Sequence, residues 1–114
     1  MSQVEERPWG TFEILLDEPY TKVKKITVKP GQRLSYQYHQ KRAENWTVVV
    51  GQALLTIDGV EMIIDEGNSF LIPEEARHRV MNESDTDDLV IIEVQVGEYF
   101  GEDDIVRVDD DYGR

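Results

Sequence analysis

Cysteine is absent from the 114-residue sequence, so disulfide bonds and thiolate metal sites are excluded and a reducing compartment is favoured. The sequence also has no apolar run long enough to cross a bilayer. Its first residues, MSQVEER, lack the apolar segment of a signal peptide. We therefore expect a cytoplasmic protein without a membrane partner.

Basic residues are scarce: 12 lysines and arginines stand against 24 acidic residues, which gives a net charge of −12. Such a surface repels nucleic-acid phosphates and anionic lipids, so neither is an expected partner. A phosphorylated substrate would need basic residues close to its binding site. The length predicts one domain, residues 1–114, with an N-terminal arm over 1–10 and an acidic C-terminal segment over 101–114.

The apolar period of a helix is also missing, and short apolar runs alternate with turn residues instead. Asp58-Gly59 lies between two such runs and predicts a tight hairpin. Many short strands without crossover helices predict an all-β, antiparallel barrel or sandwich. The predicted strands are Thr11–Leu15, Lys22–Lys29, Arg33–His39, Asn45–Val50, Ala53–Ile57, Val60–Ile64, Ser69–Ile72, His78–Asn82 and Leu89–Val96.

Alternation along these strands assigns side chains to the core or to the surface. Arg77 and Arg79 have the opposite parity to His78 and are predicted to point outward, and Trp46 is predicted to fill the core. The predicted core comprises Ile26, Val28, Val48, Val50, Leu55, Ile57, Met62, Ile64, Val90 and Ile92.

The strand Arg33–His39 carries a second prediction, because its even-numbered residues are large and partly apolar. They would form an outer patch that a soluble monomer normally covers, and we predict a homodimer that pairs this patch across a two-fold axis. Cover by the N-terminal segment with Trp9 and Phe12 is the alternative. The residues of the patch are Leu34, Tyr36 and Tyr38.

The sequence has two histidines, His39 and His78. Gln37 and His39 lie two positions apart on a predicted strand, so their side chains share a face. Glu44 follows after a short turn and opens the next strand. An amide, an imidazole and a carboxylate can therefore converge from two neighbouring strands, and such a set suits a divalent metal.

Two stretches around these residues resemble the two cupin motifs, namely Gly31-x5-Gln37-x-His39-x4-Glu44-x6-Gly51 and Gly67-x5-Pro73-x4-His78-x3-Asn82. In the first, a glutamine stands where a histidine is usual. The resemblance implies a jelly-roll barrel with one divalent ion, zinc first, and manganese, cobalt, iron or nickel as alternatives. The implied ligands are Gln37, His39, Glu44 and His78.

Further segments resemble the type II mannose-6-phosphate isomerase domain: RPWG at 7–10, ITVKPG at 26–31, RAE at 42–44 and GEDDIVR at 101–107. This resemblance implies a metal-dependent interconversion of mannose 6-phosphate and fructose 6-phosphate, within polysaccharide biosynthesis. Such domains are often fused behind a mannose-1-phosphate guanylyltransferase. No glycine-rich nucleotide loop precedes the cupin motifs here, so we expect no guanylyltransferase activity.

The sequence departs from the isomerases at Gln40, Lys41 and Asn45, where they commonly have histidine. The three departures favour two alternatives to the isomerase. One is a different metal-dependent cupin enzyme, such as an Fe(II) oxygenase or a lyase. The other is a cupin that binds sugar without turnover.

Isomerisation moves a proton between neighbouring carbons and needs a general base near the metal. The candidate bases are Lys41, in the loop beside the predicted ligands, and Glu93, on the last long strand. Whether Glu93 faces the cavity depends on the face taken by its apolar neighbours, which the sequence leaves open. The candidate ligands of a substrate phosphate are Arg42, Lys41, Arg107 and Arg33.

Overall fold

The chain, described here over residues 3–113 from a computed structural model, forms two antiparallel β-sheets. The strands are β1 Val4–Arg7, β2 Gly10–Glu18, β3 Thr21–Val28, β4 Tyr36–His39, β5 Arg42–Val50, β6 Ala53–Ile57, β7 Val60–Ile64, β8 Ser69–Ile72, β9 His78–Met81, β10 Leu89–Gly97 and β11 Ile105–Asp109. One short 3₁₀ turn, Glu102–Asp104, is the single helical element of the described part. The all-β prediction is confirmed.

The larger sheet has the order β1-β2-β3-β10-β5-β8, and the smaller one has the order β11-β4-β9-β6-β7. Apolar side chains fill the space between the two sheets, since burying one face of each sheet is the main driving force for such a fold. Fully buried members of this core include Val28, Leu55, Val80, Leu89 and Ile91. No helix of the described residues is long and apolar enough to cross a membrane.

The core prediction is correct for Ile26, Val28, Val48 and Leu55, and Ile57, Met62 and Ile64 pack against the core while partly buried. It is wrong for Val50, which is 47% exposed, because the pairing of β5 with β10 shifts register there. It is also wrong for Val90 and Ile92, which are only half-buried. Four consecutive apolar residues begin β10, so the sequence has no alternation there from which to assign a face.

Strands β1 and β11 lie outside the predicted set. Strand β1 pairs with β2 and β11 pairs with β4, so each lies at the edge of a sheet. Strand β1 is rich in charged residues, strand β11 mixes apolar with charged residues, and both are largely exposed. Charged side chains on exposed edge strands are common because they discourage association between sheets.

The segment before β4 differs from its prediction as a regular strand from residue 33. Leu34 and Ser35 are both buried, and Leu34 belongs to the core, so the predicted outer patch is wrong at Leu34. The strict alternation fails because β4 begins only at Tyr36. Strand β4 pairs with β11 along its whole length, but with β9 only at Gln37 opposite His78.

Arg79 was predicted to point outward and instead is buried, at 9% exposure. Its Nε donates to the carbonyl oxygen of Leu34 at 2.9 Å, and its Nη2 donates to that of Asp109 at 3.2 Å. These contacts satisfy hydrogen-bond donors of the buried guanidinium. Arg77, by contrast, is exposed as predicted, with its guanidinium 5.5 Å from the centre of the Tyr38 ring.

Candidate metal centre

Three buried side chains that could bind a metal meet between the sheets: His39 at the end of β4, Glu44 near the start of β5, and His78 at the start of β9. Their side chains are 2%, 1% and 1% exposed, and one donor atom of each lies within 4.8 Å of the others. Nε2 of His39 is 3.1 Å from Oε2 of Glu44, and Nε2 of His78 is 3.6 Å from its Oε1.

The tautomer of His78 follows from its partners. Nδ1 lies 2.9 Å from the carbonyl oxygen of Ala76, and a carbonyl only accepts, so Nδ1 carries a hydrogen. In the neutral ring the lone pair is then on Nε2, an atom with no hydrogen-bond partner among the described residues. This lone pair faces Glu44, which is the arrangement that a metal-binding histidine requires.

A proton and a divalent metal would compete for this cluster. Burial alone would raise the pKa of Glu44, but its interactions with His39 and His78 outweigh burial and hold the pKa well below its ordinary value. Burial alone would lower the pKa of His78, and the Glu44 carboxylate outweighs that effect, so the pKa is raised. Positive charge is therefore stabilised between the three side chains, and a bound metal would supply it in place of a proton.

Arg42 and Trp46 fix the orientation of Glu44. Nε of Arg42 donates to Oε2 at 2.8 Å, and Nε1 of Trp46 donates to Oε1 at 3.0 Å. All three side chains point inward from alternate positions of β5. Arg42 also places Nη2 3.1 Å from Nε2 of His39. Because a guanidinium only donates, Nε2 of His39 is the acceptor in this contact.

These residues fit a divalent metal, because two imidazole nitrogens and a carboxylate form a donor set of intermediate hardness. The fourth predicted ligand, Gln37, lies directly opposite His78 in the pairing of β4 and β9. Its Oε1 accepts a hydrogen bond of 2.6 Å from Oγ of Ser35. A ligand role for Gln37 stays a prediction.

Next to the metal centre lies a cavity of about 60 Å³, and Arg42 contributes to both because its guanidinium contacts Glu44 and lines the cavity wall. This space accepts about four to six water molecules at the volume that one water needs. Charged side chains from both sheets line it, namely Arg7, Lys24, Arg42, Glu93 and Arg107.

Glu93 is buried inside the barrel, opposite Lys24 on β3 and Trp46 on β5. Gln95 donates from Nε2 to Oε1 of Glu93 at 2.5 Å. Burial and then the nearby Glu44 raise the pKa of Glu93 to about 8, although Lys24 and Arg42 oppose the shift. A carboxyl group that holds its proton near neutral pH therefore faces the cavity.

The structure brings four of the predicted site residues together at the cavity and places two elsewhere. Gln37, Arg42, Glu93 and Arg107 line the cavity. Lys41 is exposed, with its ammonium 5.2 Å from the centre of the Tyr99 ring. Arg33 pairs with Asp111 through hydrogen bonds of 2.5 and 2.8 Å. Neither Lys41 nor Arg33 belongs to the lining of the cavity.

Two cavity residues, Arg7 and Lys24, were missed from the sequence. Lys24 has the parity of Ile26 and Val28, which were correctly assigned to the core, so alternation along the predicted strand contained the signal. Arg7 lies on β1, a strand that the sequence pattern did not predict. Its only signal was its place in the RPWG segment.

A family profile described as mannose-6-phosphate isomerase C-terminal matches residues 1–110. The chain belongs to this family. It is 41% identical over 108 residues to a mannose-1-phosphate guanylyltransferase of Klebsiella pneumoniae, covering 95% of this chain and 23% of that protein. It is 48% identical to the alginate biosynthesis protein AlgA of Pseudomonas aeruginosa, covering 95% of this chain and 22% of that protein. The chain thus spans less than a quarter of these relatives.

Solved structures support the fold. The capsular polysaccharide assembling protein CapF of Staphylococcus aureus superposes with a TM-score of 0.82 at 22% identity, over 96% of this chain and 34% of that one. An RmlC-like cupin of Shewanella frigidimarina superposes with a TM-score of 0.76 at 20% identity, over 90% and 87% of the two chains. At these identities the likeness concerns the fold alone, and it confirms the predicted cupin barrel.

Proposed function

We propose that the chain is a metal-dependent isomerase domain that interconverts mannose 6-phosphate and fructose 6-phosphate. The observation that carries the proposal is the buried cluster of His39, Glu44 and His78, which Arg42 joins to a cavity rich in positive charge. The family, named for mannose-6-phosphate isomerase, supports a sugar phosphate as the ligand.

The reaction removes a proton from one carbon of the sugar and returns it to the neighbouring carbon through an enediol. A divalent ion bound by the three-residue cluster, with Gln37 as the proposed fourth ligand, would supply a Lewis acid for the carbonyl oxygen. The chain itself must supply the group that carries the proton. Glu93 is the favoured group because its carboxyl faces the cavity and is oriented by Gln95. Lys41, the other predicted base, is exposed beside Tyr99 and is the weaker candidate.

Arg42 and Arg107 are the proposed contacts of the sugar phosphate, since both residues line the cavity. Arg33 stays a prediction for this role, and in the structure its guanidinium binds Asp111. A charged donor from each of two strands would orient an anionic substrate relative to the metal cluster.

The test combines metal analysis with a coupled isomerase assay. Purified protein should contain one divalent ion per chain, lose isomerase activity with chelator and regain it with metal. Glu44→Gln should abolish metal retention. Glu66→Gln, a change to an exposed carboxylate that binds the backbone of Gly51, is the matched control and should leave both properties unchanged. Full activity in chelated protein would overturn the proposal.

A second candidate is a different metal-dependent cupin enzyme, favoured by the composition of the cluster. Two histidines and one carboxylate are also the ligand set of non-haem iron oxygenases. Substrate-dependent oxygen consumption by the Fe(II)-loaded protein, without isomerase activity, would identify that case. Binding of mannose 6-phosphate with neither reaction would indicate a sugar-binding cupin, as the departures at Gln40, Lys41 and Asn45 allow.

The homodimer remains part of the proposal. Its predicted patch keeps Tyr36 and Tyr38, which are half-buried in the isolated chain. Light scattering at micromolar concentration should give twice the chain mass of 13.2 kDa. The mass of a single chain would mean that the two tyrosines need no partner.

A further inference from the structure

The charged residues that line the cavity are mostly basic, whereas the chain as a whole is acidic. The chain carries a net charge of −12, yet four basic residues and one carboxylate line this small space. The four come from four different strands, β1, β3, β5 and β11, and from both sheets. A negatively charged exterior around a positively charged cavity favours a small anion that can enter it.

Two of these cations share one aromatic ring. The guanidinium carbon of Arg7 lies 4.7 Å from the centre of the Phe12 ring, and the ammonium nitrogen of Lys24 lies 4.4 Å from it. The ring is buried, at 6% exposure, and lines the cavity. Each cation gains from the electron-rich ring face, but two like charges held against one ring also repel each other. An anion that contacts both groups would offset that repulsion.

The two groups have different freedom to bind a ligand. Lys24 is buried and lies opposite Glu93 in the pairing of β3 with β10. Arg7 is half-buried; it donates a hydrogen bond of 2.8 Å to the backbone carbonyl oxygen of Glu6 and forms an ion pair of 3.5 Å with Glu5. A guanidinium has five N–H donors, so these contacts leave donors for an anion.

We propose that Arg7 and Lys24, held on the ring of Phe12, form with Arg107 the binding site for the phosphoryl group of a phosphate monoester. That the rest of the monoester is a sugar rests on the proposed function. The volume of about 60 Å³ suits a phosphoryl group, whose oxygens need about the space of four water molecules. Because Arg42 separates this site from the metal cluster, the phosphoryl group would lie at one end of the ligand and the reacting carbons at the other.

Strand β1 is thereby assigned a role in ligand binding, although it lies at the edge of its sheet. The pairing of β1 with β2 holds Arg7 opposite Gly10, two residues before Phe12. A side-chain carbon at Gly10 would lie 1.9 Å from the carbonyl oxygen of Thr27. The distance between β2 and β3 at this point therefore leaves room only for glycine. The close approach brings the strands of Arg7, Phe12 and Lys24 together.

Inorganic phosphate is the direct probe, measured by calorimetric titration of the full chain in a low-chloride buffer. Wild-type protein should bind phosphate, and Arg7→Gln should weaken binding by about tenfold or more, the effect of losing one charge-assisted hydrogen bond. Lys24→Gln should do the same if it folds. Lys25→Gln removes the same charge from the exposed face of β3 and is the matched control. It should leave phosphate affinity within about twofold, since exposed charges are screened.

The titration separates this inference from the proposed isomerase. If phosphate binding requires Arg7 but the protein has no isomerase activity, the anion site is supported and the isomerase proposal is wrong. If wild type and Arg7→Gln both isomerise mannose 6-phosphate with the same KM, the isomerase proposal is supported and the anion site is overturned. Equal phosphate affinity in Arg7→Gln, Lys25→Gln and wild type would also overturn it.

Discussion

The two halves of the barrel interior differ in chemistry, although the same strands build both. Along β10 the inward residues change from Leu89 and Ile91 to Glu93 and Gln95. Along β5 they change in the opposite chain direction, from Arg42 and Glu44 to Trp46 and Val48. Because the strands are antiparallel, Gln95 lies opposite Glu44 and Ile91 opposite Val48. The polar ends therefore coincide, as do the apolar ends.

This comparison separates stability from function within one barrel. Burying apolar side chains stabilises the fold, whereas burying charged groups costs free energy unless partners compensate. The polar half contains Lys24, Arg42, Glu44 and Glu93, all nearly inaccessible to solvent. We infer that the apolar half carries most of the stability and that the polar half is maintained for binding and chemistry.

The largest expected effect comes from Glu93→Gln, in the polar half. The change keeps the shape of the protonated carboxyl but removes its ability to transfer a proton, so kcat should fall by about 10²–10⁴-fold with little change in KM. Steady-state kinetics of the metal-loaded protein measures both. Glu61→Gln, at an exposed position of β7, is the control. An unchanged kcat would move the acid–base role away from Glu93.

The next effect comes from Ile91→Ala, one inward position away in the apolar half. Ile91 is fully buried, so its truncation should lower the free energy of unfolding by about 2–5 kcal/mol. Urea denaturation measures the loss. The metal content of the remaining folded protein should stay at the wild-type value. Loss of metal at full stability would mean that the two halves are not separable.

A smaller effect should appear as a pH dependence of stability in metal-free protein. The pKa of Glu93 is raised from 4.5 to about 8, so between these values the folded state holds a proton that the unfolded state has released. Its contribution to stability is complete below the lower value and is lost as pH rises, at up to about 1.4 kcal/mol per pH unit. Denaturation of wild type and Glu93→Gln across this range should give two curves that differ by that slope. Parallel curves would contradict the assignment.

The smallest effect concerns the exterior. Hydrogen bonding to Arg33 lowers the pKa of Asp111, so the pair contributes stability above the ordinary pKa of the carboxyl and loses it as pH falls through the lowered value. Because the pair is solvent-exposed, Arg33→Gln should shift the denaturation midpoint less than either interior change. The shift should vanish once pH has fallen through the lowered pKa of Asp111 and the carboxyl is protonated. A shift that persists there would mean that Arg33 stabilises the fold by packing.

Much of the fold and of the metal cluster could be predicted from the sequence because strand alternation and motif spacing report local geometry directly. His39 and Glu44 lie a few residues apart on strands that are consecutive in the chain, and His78 was added through its motif. The cavity residue Arg7 and the buried Arg79 were harder to predict. Arg7 lies on β1, which pairs with β2, and Arg79 donates to the carbonyl oxygen of Asp109 on β11. Both depend on contacts with edge strands that are distant in sequence or outside the predicted set, so local sequence could not predict them.

The pairing of β4 has a consequence for the order of events during synthesis. The strand that carries His39 is held mainly by β11, which follows every other described strand in the chain. While a ribosome is still making residues before 105, β4 lacks its neighbour and presents an open edge to other chains. The metal cluster can therefore reach its final geometry only after translation of β11. Slow emergence of β11 would lengthen the period in which nascent chains can aggregate.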